Sequence, residues 1–183
     1  MSDVLSIIKE RKSVRNYADT LVSHEDLKKI VESAVWAPNA MNKQGWHFSA
    51  VTDPALIQKM SDACRKGMAD CPVPFLQERA ASPDFHAFFR APAVIVITVA
   101  EDKFTAFDAG AAAQTLCLAA KSLGYGTCIT ASTEFMFAGD PDLKKELQIP
   151  DDYHFICAVT LGTETDGEDD HVRDRNMEVI SYL

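Results

Sequence analysis

The stretch that decides the fold is residues 107–123, FDAGAAAQTLCLAAKSL. Between Ala109 and Ala120 it carries no charge, and small or apolar side chains make up most of it. A helix that is apolar all round is buried on every side, because none of its faces suits water. Small residues also let neighbouring backbones approach closely. The stretch therefore predicts a helix in the middle of a helical layer or at a subunit interface.

Strands and further helices are predicted on both sides of this helix. Residues 93–99, AVIVITV, have almost no polar side chain, which is typical of a central strand covered on both faces. Two more strands are predicted at residues 46–52 and 155–161. The other predicted helices are residues 4–12, residues 24–36 after the capping residue Ser23, one that begins at Pro54, and residues 140–147. Because the strands and helices do not alternate regularly, the pattern predicts an α+β fold with a small sheet of three clear strands.

Two segments outside these elements are expected to cover apolar surface. Residues 71–92 contain four prolines and four phenylalanines, so they are interpreted as a lid or an exchanged arm rather than one continuous helix. The last residues, up to Leu183, are charged at first and apolar at the end. We expect this tail to dock on something, with a partner subunit as one candidate.

Composition excludes several classes of protein. The chain has 183 residues, 47% of them hydrophobic and 25% charged, which predicts a single domain over residues 1–183. A net charge of −9 does not suit a nucleic-acid partner, which needs a basic surface. No apolar run approaches the roughly 18 residues that would span a bilayer. The beginning of the sequence lacks a signal-peptide pattern, and the five cysteines include no Cys-x-x-Cys pair, so the sequence predicts a cytoplasmic protein without disulfides or zinc.

Two clusters of cations stand out in this acidic chain. The first, residues 11–15 (RKSVR), combines three cations with the hydroxyl of Ser13; we call it the cationic segment. It is interpreted either as helix-end chemistry or as a phosphate-binding clamp. The second is Arg173 and Arg175, which follow a run of acidic residues. They form either a solvated face of mixed charge or, in extended chain, two guanidinium groups that point to the same side.

A third cluster is rich in side-chain amides. It lies between the predicted helix that ends near Pro38 and the strand that begins at Trp46, and we call residues 38–44 (PNAMNKQ) the amide loop. Amides both donate and accept hydrogen bonds, which suits the edge of a heteroaromatic ring. The alternative is an ordinary polar loop beside a buried tryptophan.

Three segments together resemble the FMN-dependent nitroreductase family. They are the cationic segment, residues 37–48 (APNAMNKQGWHF) and the helix that begins near Asp108, and they look like the family's signatures in the same order and spacing. The resemblance covers nearly the whole chain. It implies an α+β fold with a central, mainly antiparallel sheet flanked by helices, built as an intertwined homodimer with two FMN sites at the interface. It also implies NADH or NADPH as reductant and a nitroaromatic, quinone or similar small molecule as electron acceptor.

The same resemblance implies roles for individual residues. The FMN phosphate and ribityl chain would be held by Arg11, Lys12, Ser13 and Arg15, joined by Arg173 and Arg175. The ring would be contacted from the partner subunit by Pro38, Asn39, Ala40, Met41, Asn42 and Gln44. The turn at Thr130, Ala131 and Ser132 would present a backbone N–H to flavin N5. No nucleophile and no metal ligand are expected, because the flavin carries the hydride chemistry.

This sequence departs from the family in three places, and other functions remain open. The turn at residues 130–132 differs from the glutamate-glycine pair of the larger members. Gly45 stands where a proline is common, and residues 71–92 replace a longer helical excursion that often shapes the substrate pocket. The alternatives are a flavin-binding sensor or carrier without turnover, and a related flavin-dependent reaction such as flavin destruction or reductive dehalogenation.

Overall fold

The chain folds around one four-stranded antiparallel sheet, and the computed structural model describes residues 3–101, 104–165 and 172–183. The strands are β1 (Trp46–Val51), β2 (Ala93–Ala100), β3 (Gly126–Thr130) and β4 (Tyr153–Gly162). The helices are α1 (Val4–Glu10), α2 (His24–Ala34), α3 (Pro54–Asp70), α4 (Pro74–Ala81), α5 (Thr105–Ser122), α6 (Phe135–Gly139) and α7 (Leu143–Glu146). Short 3₁₀ turns cover Ala40–Asn42 and Ser132–Glu134.

Strand β2 lies inside the sheet, as its sequence predicts. The strand order is β1-β2-β4-β3, and each neighbouring pair is antiparallel. Ile95 and Ile97 face the core on one side of the sheet, whereas Val94 and Val96 face the core on the other side. Both faces of β2 are therefore covered, and the α+β class with a mainly antiparallel sheet is confirmed.

Helices form one layer on each face of the sheet. Helices α2 and α5 pack together on one face, with Ile30 and Leu116 fully buried between them and the sheet. Helices α3 and α6 cover the other face, where Met60 and Met136 are fully buried. Helix α2 begins as its capping pattern predicts, because the Ser23 hydroxyl accepts the N–H of Asp26 at 3.0 Å.

Helix α5 is covered on only one side within a single chain. Leu116 and Cys117 are fully buried against the sheet, but Gly110 and Gln114 are exposed and Phe107 is 77% exposed. The uncharged sequence predicts cover on every side, so this face lacks a partner in the described chain. Its cover, in the middle of a helical layer or at a subunit interface, stays a prediction.

Two features differ from the expectations. The sheet has a fourth strand, β3, which begins at Gly126, where the sequence indicates only the end of a helix. Residues 71–92 contain the helix α4, whose Pro74 stands in the first turn and so starts the helix instead of breaking it. Phe88 in the same segment is fully buried in the core, so the segment is part of the folded body and not an exchanged arm.

The carboxyl-terminal tail is uncovered. Every residue from 172 to 183 is exposed, including Tyr182 at 91%. The apolar end of the tail therefore does not dock on the described residues of its own chain. No helix in the described ranges is both long enough and apolar enough to cross a membrane.

Candidate functional site

The cationic segment runs beside β3 at the edge of the sheet. The N–H of Val14 donates to the carbonyl oxygen of Thr127 at 2.9 Å, and Ser13 forms a parallel bridge with Thr127. Val14 is buried, and a Cβ atom added at Gly126 would lie 2.8 Å from its side chain. A glycine at the start of β3 is therefore what allows the segment to approach the strand so closely.

Further contacts fix the segment against β4 and the chain that follows it. The Tyr17 hydroxyl donates to the carbonyl oxygen of Val14 at 2.7 Å and lies 2.7 Å from the Thr160 hydroxyl. Lys12 forms an ion pair with Glu164, and the backbones of Tyr17 and Glu164 form an isolated antiparallel β-bridge. The positions of Ser13 and its neighbours are thus set before any ligand arrives.

Two arginines of the segment have no anionic partner among the residues that the structure describes. Arg11 is half-buried, and Arg15 is exposed with its guanidinium carbon 5.8 Å from the centre of the Phe89 ring. Within the three described ranges, no carboxylate lies within ion-pair distance of either guanidinium. Two unneutralised arginines beside a serine hydroxyl form a donor set that suits a phosphate group.

The turn at Thr130, Ala131 and Ser132 stands at the other end of β3. The Thr133 hydroxyl donates to the carbonyl oxygen of Thr130 at 3.3 Å. The thiol sulfur of Cys64 lies 3.7 Å from the carbonyl oxygen of Ser132. Thr127 and Thr130 are three residues apart on a strand, which corresponds to about 10 Å. The site therefore offers cations at one end of β3 and a rigid polar turn at the other, a spacing that suits an elongated ligand with an anionic end.

A third arginine, Arg79 on α4, approaches this turn. Its Nη1 lies 3.4 Å from the Ser132 hydroxyl oxygen, to which it donates. Burial raises the pKa of the Cys128 thiol on β3, while the positive charges of Arg15, Arg11 and Arg79 lower it. Arg79 thus brings a third guanidinium group to the turn that follows β3. No local signal in the sequence marks Arg79, because it is an isolated arginine in a proline-rich segment.

The amide loop has a strained but well-fixed backbone. Met41, Asn42 and Gln44 have φ angles of 55°, 52° and 50°, a left-handed conformation that non-glycine residues adopt at a cost. The Asn39 Oδ1 accepts the N–H of Gln44 at 2.9 Å and so closes the loop. The side chains of Met41, Asn42 and Gln44 are exposed, Met41 at 75%, so the loop presents them outward.

The loop is anchored by the only acidic residue of helix α5. Both carboxylate oxygens of Asp108 accept the N–H of Ala40, at 3.2 and 3.1 Å. Asp108 is buried and stands in the first turn of the helix, where the helix dipole favours a negative charge. In the sequence Asp108 stands out only as the start of a family-like segment, whereas its contact with Ala40 is visible only in the fold.

The two carboxyl-terminal arginines are exposed and hydrogen-bond only within their own segment among the described residues. Arg175 Nη1 donates to the carbonyl oxygens of Arg173 and Asp174 at 2.5 and 3.3 Å, and both arginines are exposed. Their predicted place at the phosphate remains a prediction.

The thiols near the site are not activated. All five cysteines are buried and free, and burial raises the pKa of Cys64 and of Cys157 to about 12. A thiol with such a pKa is a poor nucleophile at neutral pH. Among the described residues, no group of three or more His, Cys, Asp or Glu side chains could hold a metal ion.

Comparisons with known proteins agree with this geometry. A protein of Archaeoglobus fulgidus, provisionally named NADH dehydrogenase/NAD(P)H nitroreductase, is 32% identical; the match covers 95% of this chain and 92% of the relative. An FMN-bound nitroreductase from Desulfitobacterium hafniense is 30% identical with a TM-score of 0.86, over 100% of this chain and 99% of the other. An FMN-bound nitroreductase from Bacteroides fragilis has a TM-score of 0.92 at 24% identity, over 100% of both chains.

The match to the family itself spans most of the sequence. The sequence model of the Nitroreductase family fits residues 8–163, a range that includes the cationic segment, the amide loop and helix α5. The chain belongs to the Nitroreductase family.

Proposed function

We propose that this chain is an FMN-dependent oxidoreductase that takes electrons from NADH or NADPH and reduces nitroaromatics, quinones or similar small molecules. For a nitro group, one NAD(P)H and one proton would convert R–NO₂ to R–NO and water, with NAD(P)⁺ as the other product. Residues 1–183 would form one FMN-binding domain that acts as a homodimer. Family membership and the FMN-bound relative that is 30% identical support this proposal.

The observation that carries the proposal is the pair of unneutralised arginines beside β3. The phosphate of FMN bears nearly two negative charges at neutral pH, which matches Arg11 and Arg15 together with the Ser13 hydroxyl. When bound, FMN supplies two-electron hydride chemistry that no side chain can perform. The cationic segment would hold the phosphate and ribityl chain, while a backbone N–H of the turn at residues 130–132 would orient the ring.

A second subunit would complete the site. The amide loop points away from its own chain, and the face of α5 with Phe107 is uncovered. Exposed large apolar side chains such as Phe107 and Met41 are typical of an interface between subunits. In the proposed homodimer, residues 38–44 of the partner would contact the flavin ring. The exposed tail would dock on the partner and bring Arg173 and Arg175 to the phosphate.

The site would work by alternating ligands. One face of the ring stays open, so NAD(P)H and the acceptor would occupy it in turn, which predicts ping-pong kinetics. Five free, buried thiols and a need for NAD(P)H suit a reducing compartment, and we propose a cytoplasmic location.

The test is an anaerobic titration of the purified, FMN-loaded protein with NADH and with NADPH. We expect the flavin absorbance near 450 nm to bleach and to return when a nitroaromatic or a quinone is added. Bound FMN that neither nicotinamide reduces would favour the sensor or carrier. Protein that binds no FMN would refute the proposal altogether.

A further inference from the structure

Arg79 lies at the ring end of the proposed site and has no charged partner within the described part of the chain. It belongs to the last turn of α4 and donates to the Ser132 hydroxyl, at the turn where the flavin ring is proposed to stand. Throughout the described ranges, no carboxylate lies within ion-pair distance of Arg79. A neutral hydroxyl at 3.4 Å satisfies only one of five N–H donors.

The side chain is held in place by its surroundings. The guanidinium carbon of Arg79 lies 5.8 Å from the centre of the Phe85 ring, and that of Arg65 lies 5.0 Å from the same ring. Arg65 donates to the carbonyl oxygens of Ala80, Ser82 and Phe85 at 3.0, 3.0 and 2.8 Å. These bonds tie the chain after α4 to α3, so Arg79 is presented from a fixed segment.

The charge of the flavin does not require Arg79. In the proposed function, the phosphate and the reduced ring bring about three negative charges. In that function Arg11 and Arg15, joined by the predicted Arg173 and Arg175, would supply four positive charges, while Lys12 is paired with Glu164. The positive charge of Arg79 is therefore available to the second ligand, which stacks on the ring.

We propose that Arg79 is a specificity-determining residue that binds a carboxylate carried by the aromatic acceptor. The inference rests on the proposed function, because that function places the ring at Ser132. A guanidinium presents two parallel N–H groups that match a carboxylate, and a partly desolvated pair of this kind discriminates strongly against a neutral analogue. The enzyme would thus prefer negatively charged acceptors although its own net charge is −9.

The direct test measures binding without turnover. Benzoate and benzamide, which have nearly the same shape and differ in charge, are titrated calorimetrically into the FMN-loaded protein. We expect benzoate to bind about tenfold or more tightly than benzamide. Arg79→Gln should abolish this difference, whereas Arg79→Lys should keep part of it. Lys66→Gln, which removes an exposed charge from the neighbouring helix α3, should leave it unchanged.

Kinetics with 4-nitrobenzoate and 4-nitrobenzamide give the second readout. Arg79→Gln should raise KM for 4-nitrobenzoate about tenfold or more and change neither KM for 4-nitrobenzamide nor kcat substantially. Equal binding of benzoate and benzamide by the unaltered protein would overturn the inference, as would a preference that survives Arg79→Gln. If Arg79→Gln shifted the midpoint potential of the flavin but left the preference for benzoate unchanged, the charge of Arg79 would act on the reduced ring. That result would also overturn the inference.

The two proposals fail in different ways. If FMN-loaded protein reduces both nitro compounds equally well, the proposed function stands and the role of Arg79 falls. If NAD(P)H does not reduce the bound flavin, the proposed function falls, and the benzoate titration still decides whether Arg79 binds a carboxylate.

Discussion

The carboxylate of Asp108 accepts the backbone N–H of Ala40 at 3.1 and 3.2 Å, which joins the start of α5 to the amide loop. The contact links two segments that are 68 residues apart in the sequence. It holds a loop whose residues at 41, 42 and 44 adopt left-handed conformations, so the loop shape depends on this buried charge.

Removal of this carboxylate should loosen the loop. We expect Asp108→Ala to lower the free energy of unfolding by about 1–3 kcal/mol, because the N–H of Ala40 loses its partner. FMN affinity should fall as well, since the loop would no longer be presented in one shape. Asp108→Asn keeps one acceptor oxygen and should cost clearly less. Chemical denaturation and FMN titration of both variants measure the effects; equal stability of Asp108→Ala and the unaltered protein would contradict the anchoring role.

Arginine side chains should dominate FMN binding. We expect Arg15→Ala and Arg173→Ala each to weaken FMN binding by about 1.5–3 kcal/mol, the scale of a charged hydrogen bond. Lys12→Ala should matter less, because its ammonium is already paired with Glu164 and has no planar fork. Fluorescence titration of the apo-protein with FMN gives the dissociation constants. Unchanged affinity in both arginine variants would refute the clamp.

A side chain at Gly126 should disturb the close contact between the cationic segment and β3. A Cβ at position 126 would lie 2.8–2.9 Å from three carbon atoms of Val14, so Gly126→Ala should destabilise the fold by about 1–3 kcal/mol. At Gly45 the nearest atom to an added Cβ is 3.9 Å away, which is ordinary contact, so Gly45→Ala is the matched control. Thermal unfolding compares the two. A Gly126→Ala midpoint as high as that of Gly45→Ala would show that the segment is free to move away from β3.

His86 should make stability depend on pH. Its Nδ1 accepts the N–H groups of Phe88 and Arg90, both at 3.2 Å, and so holds the left-handed turn that places Phe89 beneath Arg15. Burial lowers the pKa of His86 below its usual 6.5, helped by the charges of Arg90 and Arg65 and opposed by that of Asp62.

The direction of the pH effect follows from this lowered pKa. The unfolded chain binds the proton more readily than the folded one, so the stabilisation from neutral His86 is present above about pH 6.5 and is lost as the pH falls through the folded pKa. His86→Asn keeps an acceptor at the Nδ1 position and cannot titrate. We therefore expect the variant to lose less stability than the unaltered protein between pH 7.5 and 5. Denaturation curves at several pH values measure the difference, and identical pH profiles would contradict the assignment.

Much of the architecture follows from local sequence patterns. The apolar run of β2 predicts a strand covered on both faces, and the capping pattern at Ser23 places the start of α2. The strand β3 escapes prediction because it is only five residues long and begins at a glycine, so neither length nor alternation marks it. The prolines before α4 mislead for a related reason: proline breaks a helix in its interior but starts one in its first turn.

Local sequence patterns also predict only part of the candidate site. The cationic segment and the amide loop are short contiguous runs, so their composition signals a function. Arg79 meets Ser132 across 53 residues, and Asp108 meets Ala40 across 68, so only the fold brings these groups together. Asp108 directly precedes the uncharged stretch 109–120, but no local pattern in the sequence names Ala40 as its partner.

The central claim is that FMN lies along β3 with its phosphate at the cationic segment and its ring under the amide loop of a second subunit. A crystal structure of the FMN-loaded protein tests it most directly. We expect the phosphate within hydrogen-bond distance of Ser13 and of at least one arginine of the cationic segment, and Ser132 beside the ring. A monomer, or a flavin bound away from β3, would contradict it.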